Sequence, residues 1–293
     1  MRKVLIFGSA GQLGVELVST FRSAGFQVHP LTRANLDITD AAAVEHHITS
    51  IEPDIVVNSA AYNMVDVAEQ EPLAAFQVNA LAVRHMAVTC RQVDALLVHF
   101  STDYVFDGTA GRPYTETGAV HPLGAYAVSK LAGESYAQAY LDRVLVLRVS
   151  GVFGAAGVRT ARSNFPELML RLADGGKEIR VVEDHVASPS FAPAIAERTL
   201  ELVNLDIRGV VHLGGGTPIS WYDWAKMIFR ASGRSPQLKA TNEREYRTAA
   251  RRPKYSALAN ERLAALGIAP MPPLEETIEA YMQQRRVYTA AGA

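Results

Sequence analysis

The chain has 293 residues, of which 48% are hydrophobic and 20% are charged, and its formal net charge at pH 7 is −1. This composition is typical of a globular protein, and the near-neutral charge gives no reason to expect binding to nucleic acid or to a membrane surface. A single cysteine, Cys90, excludes a disulfide framework and metal sites built on paired thiolates. No signal-peptide pattern and no apolar run of ~20 residues is present, so we expect a cytoplasmic protein.

The first half of the chain alternates strand-like with helix-like segments. Strand-like segments occur at residues 3–7, 27–31, 54–60, 95–101 and 143–150. Gly25 is predicted to end the first helix, Asp40 to cap the second, and residues 72–93 to form one long helix. This alternation predicts an α/β fold with a Rossmann-type, doubly wound parallel sheet.

The alternation breaks after Ser150. The remaining segments are predicted as helices at 165–176, 192–203, 221–233 and 274–286, a short strand with a loop at 178–191, and a strand at 209–215. We therefore expect residues 1–150 to form a dinucleotide-binding domain, to which the chain returns near 186–215. Residues 151–293 are expected to form mainly a smaller, interleaved substrate-binding domain.

A glycine-rich turn follows the first strand. The stretch "GSAGQLG" places Gly8, Gly11 and Gly14 between a strand and a helix. A turn without side chains lets backbone amides approach a pyrophosphate, and the helix N-terminus adds a favourable partial charge. The spacing differs from the commoner G-x-G-x-x-G, and simple turn formation is the alternative. In this strand–turn–helix context the pattern predicts dinucleotide binding.

The end of the second strand bears on the choice of dinucleotide. NAD-binding sites usually carry an acidic residue there, but this chain has Thr32 and Arg33. Arg33 could pair with a 2′-phosphate, which favours NADPH over NADH, although related reductases accept both cofactors. The alternative is that Arg33 is an exposed loop cation. Asp37 and Ile38 follow and could lie along the adenine.

Tyr126 and Lys130 lie four residues apart in "YAVSK", which places them on one face of a helix. A nearby ammonium favours the phenolate, so we expect the pKa of Tyr126 to be lowered and the pair to act as a proton donor in carbonyl reduction. The preceding strand ends in Ser101, Thr102 and Asp103, at the sheet edge where ligands bind in open α/β folds. The alternative is a surface pair on a scaffold helix.

These motifs, with "NSAAY" at 58–62, Asn79 in "VNA", "STDYVFDG" at 101–108 and "RRPKYSAL" at 251–258, resemble the extended short-chain dehydrogenase/reductases. The closest resemblance is to the dTDP-4-dehydrorhamnose reductase family, and it covers nearly the whole chain. It implies hydride transfer from NADPH or NADH to C4 of a 4-keto-6-deoxy sugar nucleotide, most simply dTDP-4-dehydro-L-rhamnose.

The resemblance also implies residue roles. The catalytic set would be Thr102, Tyr126 and Lys130. With the residues argued above, cofactor contacts are predicted at Gly8, Gly11, Gln12, Leu13, Gly14, Arg33, Asp37, Ile38, Ala60, Ala61, Tyr62 and Lys130. Substrate contacts are predicted at Thr102, Asp103, Tyr126 and Asn164, and the arginines considered for the substrate's diphosphate are Arg159, Arg162 and Arg252.

Two features depart from a simple match. Gly151, in "RVSG", stands where rhamnose reductases commonly carry a tryptophan against the sugar, and Phe153 is one side chain that could fill the space. Some family members bridge subunits through a magnesium ion. Glu16, Glu183 and Asp184 lie near the relevant segments without matching them one by one, so no metal is predicted.

Two other functions remain open. The resemblance extends to the regulatory subunit of methionine adenosyltransferase, which binds dinucleotide without catalysis. A sugar-nucleotide epimerase or dehydratase would need acid–base groups beyond Asp103. The expected partner is a nucleotide sugar, with neither nucleic acid nor membrane, and a homodimer is possible.

Overall fold

The computed structural model describes residues 1–160 and 163–290. Its strands are β1 (Lys3–Phe7), β2 (Gln27–Leu31), β3 (Ile55–Asn58), β4 (Leu96–Thr102), β5 (Val144–Val149), β6 (Ile179–Val182), β7 (Val186–Ala187), β8 (Gly209–His212), β9 (Ile219–Ser220) and β10 (Leu238–Thr241). Its α-helices are α1 (Gln12–Ser23), α2 (Ala41–Ile51), α3 (Val65–Ala68), α4 (Pro72–Phe76), α5 (Ala82–Gln92), α6 (Ala125–Tyr140), α7 (Phe165–Asp174), α8 (Ala192–Asn204), α9 (Trp221–Ser232), α10 (Glu261–Ala265) and α11 (Leu274–Ala290).

The central sheet has six strands in the order β2-β1-β3-β4-β5-β8, and all neighbouring strands are parallel. The predicted Rossmann-type α/β fold is therefore confirmed. Phe7 lies beside Asn58, and Asn58 beside His99, so the carboxyl ends of β1, β3 and β4 share one edge. The strand order reverses between β1 and β3, which is where open α/β sheets bind their ligands.

Each face of the sheet is covered by a separate apolar layer. Because successive strand residues point to opposite faces, Val4 and Ile6 pack with α1 and α8 on one side, whereas Leu5 and Phe7 pack with α2 and α5 on the other. The first layer continues through Trp224 into α9 and α11, which joins the two halves of the chain in one core. No helix in residues 1–160 and 163–290 is long and apolar enough to cross a membrane.

Several local predictions hold. Gly25 follows the end of α1 with a φ of 81°, and the Asp40 side chain accepts a hydrogen bond from Ala43 N–H at the start of α2. The long helix predicted over 72–93 is present as a continuous helical run from Pro72 to Gln92, but it is interrupted in its regularity. α4 and α5 are joined by a π-helical turn at Gln77–Leu81, a distortion that is often found at functional sites.

The second half forms two further small sheets. β6 pairs with β10 in parallel, and β7 pairs with β9 antiparallel. The sequence predicted only a short strand with a loop at 178–191, and it missed β9 and β10. These strands are two to four residues long and pair with distant partners, so they leave little local periodicity to detect.

Candidate active site

The glycine turn between β1 and α1 is closely packed against the end of β3. Gly8 has a φ of 77°, and a Cβ on it would lie 2.6 Å from the amide nitrogen of Ala60. A Cβ on Gly14 would lie 2.2 Å from the carbonyl oxygen of Gly8. Both positions therefore require glycine. Gly11 is the N-cap residue that precedes α1, and it has no side chain to cap the helix. The N–H groups of the first turn therefore suit an anion.

The next predicted cofactor residues lie after β2. Arg33 has a side chain that is 92% exposed, and its guanidinium lies 3.9 Å from the Asp37 carboxylate. Hydrogen bonds from the backbone and hydroxyl of Thr39 lower the pKa of Asp37. Ile38 is buried in the apolar layer. Arg33 is thus free to reorient toward a phosphate, whereas Ile38 is fixed by packing.

The loop after β3 holds Ala60, Ala61 and Tyr62 beside the glycine turn. Asn79, in the π-helical turn, accepts a hydrogen bond from Tyr62 N–H and donates one to Tyr62 C=O, both at 2.9 Å. Its amide also donates to the Ser129 hydroxyl of α6 at 3.0 Å. Asn79 therefore fixes the backbone of this loop against the helix that carries Tyr126. In the sequence, Asn79 is recognisable only as part of the "VNA" motif, as a polar residue within an apolar helical pattern.

Thr102, Tyr126 and Lys130 meet at the carboxyl edge of the sheet. Thr102 is the last residue of β4, and its hydroxyl is hydrogen-bonded to Tyr126 on α6. The buried Lys130 ammonium donates to the carbonyl oxygen of Phe100 at 2.5 Å. Asp103 is also buried, and its carboxylate accepts the Thr102 hydroxyl at 3.1 Å. The structure thus joins Thr102 to Tyr126, whereas the Lys130 ammonium binds the backbone of the same strand at Phe100.

The expected lowering of the Tyr126 pKa by Lys130 is not found in the structure. Burial raises the pKa of Tyr126 to about 12; the Thr102 hydrogen bond lowers this pKa, and the nearby Asp103 carboxylate raises it. Burial lowers the pKa of Lys130 to about 8, opposed by the charge of Glu134. The prediction of a lowered tyrosine pKa is therefore wrong for this structure, because desolvation dominates and Lys130 is directed toward a backbone carbonyl.

A buried ion pair lies next to Lys130. Glu134, one helical turn after Lys130, forms a bidentate pair with Arg148 of β5, with Nη2–Oε2 at 2.7 Å and Nε–Oε1 at 3.0 Å. The two side chains are 1% and 5% exposed. His212 donates from Nδ1 to backbone carbonyls and lies with Nε2 3.4 Å from Arg148, and burial lowers its pKa to about 3. Neutral His212 thus leaves Arg148 to balance Glu134.

A cavity of about 700 Å³ lies among residues of both halves of the chain, and Tyr126 is not one of its lining residues. The Tyr104 ring lines it and packs edge-on against the Tyr126 ring, with centroids 6.2 Å apart. One wall is apolar and aromatic and comes from Phe165 and Leu168 of α7 and Trp221 of α9. The lining also includes five basic residues, namely Arg180, Arg244, Arg247, Arg251 and Arg252. A cavity with both aromatic rings and guanidinium groups suits a base joined to a diphosphate.

The predicted diphosphate arginines have different surroundings. Arg252 lines the cavity, but its guanidinium is paired with Asp66 at 2.7 Å, and this contact contributes to a raised pKa. Arg159 donates to the backbone of Tyr288 and stacks on its ring. Arg162 lies outside the described residues. The sequence missed Arg180, Arg247 and Arg251, which reach the cavity from distant segments.

Asn164 connects the cavity wall to the glycine turn. Its amide nitrogen donates to Gln12 Oε1 and to Gly154 C=O, both at 3.0 Å, and its oxygen caps α7 at Glu167 N–H. Gln12 in turn donates to Val152 C=O at 3.0 Å. Leu13 packs into the apolar core. These hydrogen bonds show that Asn164 and Gln12 stabilise the local structure. A substrate contact by Asn164 stays a prediction.

The whole chain can be placed among known proteins. The family described as the RmlD substrate binding domain matches residues 1–287. The chain belongs to this family. The family resemblance predicted from the sequence motifs is therefore confirmed.

Relatives in the family are named after nucleotide-sugar reduction or polysaccharide synthesis. The spore coat polysaccharide biosynthesis protein SpsK of Bacillus subtilis is 35% identical over 285 residues, 97% of this chain and 98% of SpsK. The dTDP-4-dehydrorhamnose reductase of Escherichia coli is 35% identical over 274 residues, 88% of this chain and 90% of that enzyme. The dTDP-4-dehydrorhamnose reductase of Bacillus anthracis in complex with NADP has a TM-score of 0.92 at 32% identity, covering 97% of this chain and all of that one.

The space beside Gly151 is bounded by packed side chains. Gly151 has a φ of 46°, and a Cβ on it would lie 3.6 Å from both Trp224 and Pro189. Phe153 does not line the cavity, because its ring is fully buried among aromatic side chains that include Trp224 and Tyr281. The direction in which a side chain at 151 would extend is therefore bounded by Trp224 and Pro189.

The acidic residues considered for a metal have different surroundings in the structure. The Asp184 carboxylate accepts hydrogen bonds from Glu243 N–H and lies 4.0 Å from the Lys254 ammonium. Burial raises the pKa of Glu16 on α1. In the described parts of the chain, no group of three or more His, Cys, Asp or Glu side chains could hold a metal ion.

Proposed function

We propose that this protein reduces dTDP-4-dehydro-L-rhamnose to dTDP-L-rhamnose with NADPH. The observation that carries this proposal is the position of Tyr126. Its ring lies beside the Thr102 hydroxyl and packs against Tyr104, which lines the 700 Å³ cavity. The names of the relatives, and the NADP complex of one of them, support the same reaction.

The cofactor fits the edge formed by β1 and β3. Gly8, Gly11 and Gly14 leave backbone in place of side chains at the start of α1, where a pyrophosphate would bind. Ala60–Tyr62 would border the nicotinamide end, and the exposed Arg33 would pair with the 2′-phosphate. NADPH, when bound, supplies the hydride.

Tyr126 would protonate the ketone oxygen as the hydride reaches C4. Its raised pKa of about 12 keeps the phenol protonated at neutral pH, which is the form that a reduction needs. Lys130, fixed by Phe100 C=O and by the charge of Glu134, would hold the nicotinamide ribose. Thr102 would orient the phenol.

The second half of the chain would hold the nucleotide. The aromatic wall of Phe165 and Trp221 suits the base, and Arg247 and Arg251 suit the diphosphate. This assigns cofactor binding mainly to residues 1–150 and substrate binding mainly to residues 151–293. Asn164 would act at this junction by holding the first turn of α7.

The direct test is NADPH oxidation on addition of dTDP-4-dehydro-L-rhamnose, beside a panel of other 4-keto-6-deoxy sugar nucleotides. We expect turnover of the rhamnose precursor and formation of dTDP-L-rhamnose. Turnover of another keto sugar alone would correct the substrate and keep the reductase chemistry. NADPH binding without turnover of any sugar would favour a dinucleotide-binding regulatory subunit.

A further inference from the structure

A series of buried polar contacts connects the C-terminal helix α11 to the start of α1. Arg285 donates to both carboxylate oxygens of Glu167, from Nε to Oε1 at 2.5 Å and from Nη2 to Oε2 at 3.1 Å. The Tyr281 hydroxyl donates to the same Oε1 and lies 3.4 Å from Asn164 Oδ1. Asn164 in turn donates to Gln12, the first residue of α1, at 3.0 Å. Asn164, Glu167 and Tyr281 are at most 9% exposed.

These contacts hold the starts of two helices together. Gln12 lies in the first turn of α1, and its amide also donates to Val152 C=O at 3.0 Å. Asn164 caps α7, because its Oδ1 accepts a hydrogen bond from Glu167 N–H at 3.0 Å. Phe165, the first residue of α7, lines the cavity. The hydrogen bond between Asn164 and Gln12 therefore joins the helix that begins at the glycine turn to the helix that forms the cavity wall.

The chain leaves room for this junction at Gly157. A Cβ on Gly157 would lie 2.3 Å from Asn164 Nδ2 and 3.0 Å from Gln12 Oε1, the two atoms that form the hydrogen bond. Ser163, directly before Asn164, has a φ of 60°, which residues other than glycine rarely adopt. The entry to α7 is therefore held by its contacts and not by the local preference of the chain.

We propose that Tyr281 and Arg285 are positioning residues which, through Glu167, couple the cofactor site to the nucleotide-sugar site. A cofactor pyrophosphate bound at the first turn of α1 would fix Gln12, and with it Asn164 and the start of α7. The nucleotide sugar then meets a wall that is already ordered, so each ligand strengthens the binding of the other. This inference rests on the proposed reductase function and adds to it a dependence of substrate affinity on the bound cofactor.

Tyr281 offers a substitution that separates this coupling from packing. Burial and the hydrogen bond to Glu167 raise the pKa of Tyr281, so its hydroxyl stays protonated and donates at neutral pH. Its ring packs edge-on against Phe153, with centroids 5.7 Å apart. Tyr281→Phe keeps this packing and the ion pair between Glu167 and Arg285, and it removes only the hydroxyl that joins α11 to Glu167 and Asn164.

Binding of dTDP, measured by titration calorimetry with and without saturating NADP⁺, tests the coupling without turnover. In the wild type we expect NADP⁺ to tighten dTDP binding by at least about fivefold, the lower end of common couplings between sites. In Tyr281→Phe this ratio should fall toward one. The KM for the nucleotide sugar should rise while kcat changes little, because Tyr126 and Lys130 are untouched. A lower melting temperature with an unchanged ratio would mean that Tyr281 is only structural, and would overturn the proposal.

Gly157→Ala gives an independent test, because it separates Asn164 from Gln12 without removing any polar group. It should also bring the ratio toward one. Tyr288→Phe is the matched control on α11, since it keeps the ring beside Arg159 and should retain the wild-type ratio. A wild-type dTDP affinity that does not depend on NADP⁺, or full coupling in Gly157→Ala, would overturn the proposal. Absence of sugar turnover with the coupling intact would count only against the proposed function.

Discussion

The two halves of the active site are built in different ways. On the cofactor side, position is fixed by backbone contacts and buried polar groups: Gly8 packs against Ala60, Asn79 holds Tyr62, and Glu134 pairs with Arg148. On the proposed substrate side, the cavity is lined by five arginines from distant segments, of which Arg180, Arg244, Arg247 and Arg251 are exposed. Under the proposed function, the chemistry would take place on a rigid edge, and substrate choice would depend on a surface that tolerates substitution.

The largest effect is expected at the chemical step. Tyr126→Phe removes the proton donor and should lower kcat by about 10²–10⁴-fold, the usual contribution of a positioned general acid. NADPH binding should be unchanged, because the ring and the Lys130 contact remain. Tyr136→Phe, on the same helix, is the control and should retain wild-type turnover. Steady-state kinetics and NADPH titration measure both, and near wild-type turnover in Tyr126→Phe would remove Tyr126 from the mechanism.

The next comparison concerns ion pairs in the two halves. Glu134→Gln leaves the buried Arg148 charge uncompensated and should destabilise the fold by about 3–5 kcal/mol. Glu245→Gln breaks the pair with Arg180, in which both side chains are more than half exposed, and should cost at most about 1 kcal/mol. Denaturant unfolding of both variants measures the difference. Equal losses of stability would contradict the contrast between a rigid and a tolerant half.

The rigid half is also the half that the sequence predicted well. The glycine turn, the Asp40 cap and the edge carrying Thr102 and Tyr126 depend on local patterns: a strand that ends, a turn that needs glycine and a helix that begins. Prediction from the sequence failed for the elements whose structure depends on partners that are distant in the chain. β10 pairs with β6 almost 60 residues away, and no local periodicity indicates that pairing.

The prediction of a lowered Tyr126 pKa failed for a related reason. Helical spacing to Lys130 predicted a neighbouring cation, but it could not show that the ammonium would bind Phe100 C=O or that burial would dominate. Asn79 shows the same limit. Its role depends on a π-helical turn and on Tyr62 and Ser129, which lie 17 and 50 residues away.

A third test examines the close approach of backbone on the cofactor side. Gly8→Ala introduces a Cβ 2.6 Å from Ala60 N at a positive φ, and should weaken NADPH binding by a strain of roughly 1–3 kcal/mol. Gly25→Ala is the matched control, because its φ is 81° but nothing lies within 4 Å of the added Cβ. We expect it to lose some stability and no cofactor affinity. Equal NADPH affinities in the two variants would show that the turn does not approach the cofactor.

The smallest effect is expected at Arg33, an exposed residue on the otherwise rigid side. Its guanidinium is held only by a 3.9 Å approach to Asp37 and can turn to a 2′-phosphate at little cost. Arg33→Ala removes one exposed charge interaction of at most about 1 kcal/mol, so the preference for NADPH over NADH should fall by up to about fivefold. The measurement is the ratio of kcat/KM for the two cofactors, and the control is Arg22→Ala, on the last turn of α1. We expect the ratio to approach that of an NADH-accepting enzyme through a weaker KM for NADPH, with kcat unchanged. A ratio that stays constant in Arg33→Ala would mean that Arg33 does not recognise the 2′-phosphate, so that any discrimination between the two cofactors comes from the more rigid groups on the cofactor side.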